Sequence, residues 1–276
     1  GRSSFTLPTL PVEDYPQLPV MPTSSGTVTG QLFAAAVAQV AIAAGRDDTL
    51  PTLTGIRMEI EGSTIVLAAT DRYRLAVREF SWNPQSPSVS SHALVPARTL
   101  ADTAKSLADV DEVVIALALG GAGEGLIGFE GHGRRTTTRL LDGEFPKYRS
   151  LLPTESAAIA TIDTAALIEA VKRVALVAER HTPVRLEFEG SELTLRAGAG
   201  EDAQAVDVLE SSLEGDAIDI AFNPAYLLDG LAAVGSAVTR FSFTQQSRPA
   251  VLTAVGDDGQ ATDDYKYLLM PVRLTG

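Results

Sequence analysis

Three histidines, a carboxylate followed closely by two arginines and a glycine-rich run are the residues of this sequence with types that chemistry uses. Gly123-Glu-Gly-Leu-Ile-Gly128 has the spacing of a dinucleotide-binding loop, whose glycines let backbone approach a pyrophosphate at a helix N-terminus. That mechanism needs a helix after the run. Leu126 to Phe129 and Thr136 to Leu140 alternate like strands instead, so the run reads as a loose hairpin turn and no nucleotide cofactor is expected. His92, His132 and His181 lie far apart without metal-ligand spacing, and their neighbours build no Ser-His-Asp arrangement. The absence of cysteine removes thiolate nucleophiles, disulfides and Cys-type zinc sites together. Asp71, flanked by Arg72 and Arg74, has the form of a catalytic carboxylate but fits a surface or interdomain ion pair better. No enzyme class finds a complete set, and neither metal nor cofactor is expected.

Positive charge is the other chemistry to place. Arg134, Arg135 and Arg139 form the densest basic cluster. A formal charge of −13 over 276 residues argues against a tight grip on nucleic acid, because that affinity comes chiefly from Lys and Arg neutralising phosphates. Any DNA contact is therefore expected to be local or weak. No run approaches the roughly 20 apolar residues needed to span a bilayer, and no basic-then-apolar leader opens the sequence. No membrane partner is expected, and the lack of cysteine agrees with a reducing cytoplasm. A start at Gly1-Arg2 suggests a fragment or a processed chain, long enough for about two domains.

The elements that must position these residues occur twice. Met58-Glu-Ile-Glu-Gly-Ser-Thr-Ile-Val-Leu-Ala-Ala69 matches Leu186-Glu-Phe-Glu-Gly-Ser-Glu-Leu-Thr-Leu-Arg-Ala197, each alternating into Gly-Ser and out again like a hairpin with a two-residue turn. At the same offset Pro96 matches Pro224, and a proline in the first turn predicts a helix start. Phe33, Val37 and Val40 match Leu167, Val171 and Val174 as apolar faces of helices capped by Thr29 and Asp163. Here the first copy carries extra residues around Arg46 to Leu53. Each unit reads as helix, hairpin, second helix and more strands, an α+β fold with helices on one face of antiparallel sheet. Unpaired sheet edges in such repeats can continue into rings or arrays.

Leu53-Thr-Gly-Ile-Arg57 and Ala69-Thr-Asp-Arg-Tyr-Arg-Leu-Ala76 resemble the middle domain of the bacterial DNA polymerase III β subunits, the sliding clamps. Leu141-Asp-Gly-Glu-Phe-Pro-Lys-Tyr148 is similar to that family's interdomain segment. Phe222-Asn-Pro-Ala-Tyr226 is similar to its last-domain helix start, and Tyr267-Leu-Leu-Met-Pro-Val-Arg-Leu274 to its C-terminal strand. The resemblance implies residues 1–24 as the remnant of a first clamp domain and its linker, 25–152 as the middle clamp domain and 153–276 as the C-terminal one, with sheets outside and helices lining a hole. It implies a non-catalytic processivity factor. Such a protein encircles duplex DNA without sequence specificity, as a full-length homodimer, at replication forks in the cytoplasm.

The resemblance also implies a groove between the units for short hydrophobic motifs of the polymerase III alpha subunit, the clamp loader, other polymerases and repair proteins. The middle unit would contribute Leu53, Thr70, Arg72, Tyr73, Arg74 and Leu75, and the junction Pro146, Ser150 and Leu151. The last unit would contribute His181, Asn223, Tyr226, Pro249, Met270, Pro271, Val272 and Arg273. Arg72 and Tyr73 stand where the family commonly has a small residue and a histidine. Peptide sites are typically apolar clefts at junctions with a few placed polar groups; read without the family, Leu75, Leu269 and Met270 are ordinary strand core. Arg98, Lys105, Lys172 and Arg173, on the expected helices, are the candidates to face DNA. The alternative is an enzyme domain on a duplicated scaffold with its active site at the junction.

Overall fold

In a computed structural model that describes residues 1–16, 19–118, 125–177, 182–198 and 203–273, the repeated pattern folds into one architecture twice. The first copy runs β1 (Ser24–Val28), α1 (Gly30–Ala41), β2 (Gly55–Glu61), β3 (Thr64–Thr70), β4 (Arg74–Ser81), β5 (Asn83–Pro84), β6 (Ser90–Pro96), α2 (Ala97–Ser106), β7 (Val113–Ala118), β8 (Leu126–Gly131) and β9 (Arg134–Arg139). The second runs β10 (Ala158–Asp163), α3 (Thr164–Ala175), β11 (Val184–Glu189), β12 (Glu192–Ala197), β13 (Ala205–Glu210), β14 (Ser212–Gly215), β15 (Ile218–Phe222), α4 (Pro224–Val234), β16 (Val238–Phe243), β17 (Ala250–Ala254) and β18 (Tyr265–Leu269).

Local sequence explains most boundaries. The Thr29 hydroxyl accepts from the Leu32 N–H at 3.4 Å and the Asp163 carboxylate from the Ala166 N–H at 2.7 Å, capping α1 and α3. Gly62 and Gly190 take φ of +54° and +59° in the two-residue turns that close β2–β3 and β11–β12. Pro224 occupies the first turn of α4, behind Asn223. Pro96 differs from the expectation. It ends β6, opposite Gly55, and precedes α2 rather than sitting inside it, because a residue without an N–H terminates the ladder as readily as it opens a helix.

All strand pairs are antiparallel, in sheets ordered β5-β1-β7-β8-β9, β13-β12-β11-β15 and β14-β10-β16-β17-β18-β4-β3-β2-β6. β7 pairs directly with β8, so strand follows where a dinucleotide loop would need a helix; Gly123 and Glu124 of that run lie outside the described residues. The nine-stranded sheet crosses between the copies where β18 pairs with β4 from Tyr265↔Arg78 to Leu269↔Arg74. Helix α1 packs on α2 and α3 on α4, and α1 meets α4 where Gln39 Nε2 donates to the Ala233 carbonyl at 2.9 Å. The four helices thus form one layer over the sheets, burying Phe33, Val37, Leu100, Leu167, Val171 and Leu231.

The opening residues carry little regular structure. Residues 1–16 are exposed and contain only the single turn Val12–Asp14, with Phe5, Leu7 and Leu10 more than four-fifths exposed.

Candidate functional site

The pairing that joins the two copies places Arg74, the first residue of β4, opposite Leu269, the last of β18. The turn leading into it is fixed from several directions. The Thr70 hydroxyl donates to the Arg74 carbonyl at 2.7 Å and accepts from the Arg72 N–H at 3.2 Å. Asp71 Oδ1 accepts from the Tyr73 and Arg74 N–H groups, both at 3.0 Å. Within this turn Arg72 has φ of +80°, a left-handed conformation that a side chain with a Cβ adopts only at a cost.

Arg74 is buried and joins the copies electrostatically. Its guanidinium reaches Asp71 at 3.0 Å and Asp229, on α4, at 2.6 Å. Burial works against its charge, but the hydrogen bonds to Asp229 and Tyr267 and the charge of Asp71 outweigh that, so its pKa is held above the usual arginine value. The guanidinium lies 4.4 Å from the centroid of the Tyr226 ring, and Tyr73 stacks on the same ring at 6.1 Å. Asp71 is therefore a turn cap and ion-pair partner of Arg74 within its own unit, while Asp229 makes the pair across the junction.

Two clefts open on either side of this turn. The first, of about 600 Å³, lies between the turn, the Tyr148–Leu151 segment, the loop from Thr244 to Pro249 and the end of β18. The second, of about 510 Å³, lies between the turn, the Ala44–Leu53 segment and the start of α4. Arg72 and Arg74 line both. The wall of the first is supported from behind by a small apolar cluster of Ala68, Leu75, Tyr148, Val251 and Leu268. The Tyr148 hydroxyl donates to Glu59 at 3.1 Å, and burial together with the Glu59 charge pushes its pKa above the usual tyrosine range.

The residues singled out from sequence are distributed as follows. Thr70, Arg72, Arg74, Leu75, Pro146, Ser150, Leu151, Pro249, Met270 and Arg273 border the first cleft. Leu53, Tyr73 and Tyr226 border the second, again with Arg72 and Arg74. Asn223 borders neither; its side chain caps α4 by accepting from the Ala225 and Tyr226 N–H groups. Pro271 and Val272 also lie outside both linings, and the Val272 N–H donates to the Ala221 carbonyl at 2.8 Å. His181 lies outside the described residues. Leu75 is 1% exposed, so it supports the cleft floor as core; Leu269 is core too, whereas Met270 is 40% exposed. Sequence reasoning missed Thr244, Ser247 and Arg248, which come from a loop without a motif, and Arg46, Asp47 and Asp229 in the second cleft. The extra length around Arg46 was the one signal for part of this set.

Of the cations expected on helices, Arg98 and Lys105 are exposed on α2 without an ion pair among the described residues. Lys172 pairs with Glu169 at 2.9 Å and Arg173 with Asp207 of β13 at 2.7 Å, which takes both out of the free positive charge of that face. Arg134, Arg135 and Arg139 lie on the edge strand β9, where the Arg134 guanidinium donates to the Ser106 carbonyl at the end of α2 at 3.3 Å and Arg135 pairs with Glu130 at 3.0 Å.

Comparison with known families matches residues 27–147 to the central domain and residues 149–273 to the C-terminal domain of the DNA polymerase III beta subunit. The chain belongs to the beta sliding clamp family. A beta sliding clamp of Streptomyces coelicolor is 62% identical over 277 aligned positions, covering 100% of this chain and 74% of that protein. The beta sliding clamp homolog GriR of Streptomyces muensis is 47% identical, covering 98% and 72%. Among solved clamps, the DNA polymerase III subunit beta of Pseudomonas aeruginosa superposes with a TM-score of 0.88 at 28% identity, covering 99% of this chain and 73% of that one. A Pseudomonas aeruginosa sliding clamp bound to griselimycin gives 0.87 at 29% identity, covering 99% and 72%. The clamp fold thus accounts for both copies and for the sheet that runs between them.

Proposed function

We propose that this beta sliding clamp chain serves DNA polymerase III as a non-catalytic tether, holding partner proteins by short peptide motifs in the paired clefts beside Arg72 while its helix layer faces duplex DNA. The observation that carries the reading is the β4–β18 pairing. One set of contacts both extends the helix layer across two units and forms a cleft with a rigid floor and exposed apolar rim residues. Leu151 and Met270 are the apolar anchors, 52% and 40% exposed at opposite walls. A flexible thioether accepts varied partners. The domain division near residues 152 and 153 and the remaining cleft residues belong to the same proposal.

Ring closure uses unpaired edges of the kind already satisfied by β4 and β18. β13 is such an edge, with Val206 and Val208 more than half exposed and Leu176 exposed near it. A second chain in a homodimer ring is its partner. No helix among the described residues is long and apolar enough to cross a membrane, and we place the working protein in the cytoplasm, on the chromosome.

The cleft reading is tested with fluorescent griselimycin in an anisotropy titration. The folded Leu151→Ala/Met270→Ala variant should lose about 2 kcal/mol or more of affinity, as hot-spot anchors do. Because both side chains are largely exposed, its melting temperature should stay near that of the parent. Unchanged griselimycin affinity in this variant removes the cleft from the function.

A further inference from the structure

The first cleft of this acidic protein is lined by cations, whereas the second also carries Asp47, Asp71 and Asp229. Around the first cleft stand Arg72, Arg74, Arg248 and Arg273, with no aspartate or glutamate in its lining, although the chain as a whole carries a formal charge of −13. Arg74 is neutralised by Asp71 and Asp229. Arg72, Arg248 and Arg273 are exposed and make no ion pair among the described residues. A ligand that is only apolar leaves these three charges without a counterpart. A ligand carrying a carboxylate matches them.

Arg72 differs from the other two in place and in construction. It lines both clefts, as Arg74 does, but unlike Arg74 it is exposed, so a peptide that occupies the two clefts passes it. Its backbone sits at φ +80°, where glycine is the favoured residue, and the Thr70 and Asp71 side chains fix the turn around it. The fixed turn removes the cost of ordering this backbone on binding, although the side chain still loses its rotamer freedom. Of the three aspartates lining the second cleft with Arg72, Asp71 and Asp229 are paired to Arg74, and Asp47 is engaged by the Thr49 hydroxyl at 2.6 Å and the Thr49 N–H at 3.0 Å.

We infer that Arg72 is a specificity-determining residue of the groove, selecting partner peptides that carry an aspartate or glutamate at the position crossing between the two apolar-anchored ends. The inference rests on the peptide-binding reading above and deepens it. Arg248 and Arg273 add attraction at the rim of the first cleft alone, where they steer acidic segments without fixing the position of the acid.

The probes are three fluorescein-labelled octapeptides that share a leucine and a phenylalanine anchor. One has aspartate between the anchors, one asparagine there, and the third has the aspartate moved outside the anchors. Affinities are measured by anisotropy at low and high salt for the parent chain, Arg72→Gln and Arg72→Gly, with folding checked by circular dichroism. The readout is the ratio of affinities for the aspartate and asparagine peptides. An exposed charge pair gives a ratio of about five at low salt, falling toward one at about 0.5 M salt as the charges are screened. In both variants the ratio should be near one at every salt concentration, and the third peptide should show no dependence on Arg72. A parent ratio near one, or a preference that survives in Arg72→Gln, overturns the inference while leaving the groove intact. Failure of all three peptides to bind the parent, or to be displaced by griselimycin, overturns the groove reading and this inference with it.

Discussion

Arg74 shows how one side chain can serve both the fold and the site. It is enclosed by Asp71, Asp229 and the Tyr226 ring, so truncation leaves the largely buried Asp71 carboxylate without its partner. Arg74→Gln should therefore cost about 2–3 kcal/mol in a urea titration. Arg74→Lys should recover only part of that, because an ammonium cannot bridge two carboxylates and stack on a ring together. A loss below about 0.5 kcal/mol in Arg74→Gln would place the copies' cohesion elsewhere. Arg72 predicts the opposite sign. Relief of its left-handed backbone offsets the greater unfolded-state freedom of glycine, so Arg72→Gly should be neutral or about 1 kcal/mol more stable. Destabilisation by more than that would mean that the Arg72 side chain supports the fold.

At the scale of elements, α4 rests on β18 at a distance that only glycine permits. A Cβ on Gly230 would lie 2.3 Å from the Tyr267 ring. That ring is fully buried, and its hydroxyl donates to the Tyr226 carbonyl at 2.8 Å, so it has no room to withdraw. Helix propensity alone predicts that Gly230→Ala gains about 1 kcal/mol. The contact predicts a lower melting temperature instead, together with weaker binding in the clefts, since Tyr226 lies on the same turn of helix. An increase in melting temperature would show that α4 can shift off the sheet without loss.

For the whole molecule, the charge balance of the helix layer decides how DNA is held. With Lys172 and Arg173 paired, Arg98 and Lys105 are the free cations of the four candidates. At about 0.9 per phosphate contact, log K against log salt should fall with a slope near −2 for this chain, equally on unrelated duplexes. Anisotropy on two linear duplexes across a salt series measures it, and Arg98→Ala/Lys105→Ala should flatten the slope. A steep slope, or nanomolar preference for one duplex at physiological salt, contradicts a clamp that slides. Retention on DNA then belongs to the closed ring. In the full-length protein, lysine in place of Val206 and Val208 on β13 should weaken self-association in sedimentation, and unchanged association would move the ring contact off that edge.

The sequence by itself determined what repeats locally. Hairpins at Gly62 and Gly190, caps at Thr29 and Asp163 and the apolar helix faces are set by neighbours within a few residues, so they are legible in order along the chain. Leu75 and Met270, by contrast, have similar hydrophobicity and sit at the same end of the β4–β18 pair, Leu75 opposite Leu268 and Met270 donating its N–H to the Tyr73 carbonyl. Only their packing made the first a buried support and the second an exposed anchor. Asn223 was legible as part of a motif but not as a helix cap, and Lys172 was legible as a cation but not as one already paired. The same limit applies to the groove. Thr70, Asp229 and Arg248 are far apart in sequence, and what places them around one turn is the register of β18 on β4, a long-range pairing that no local pattern encodes.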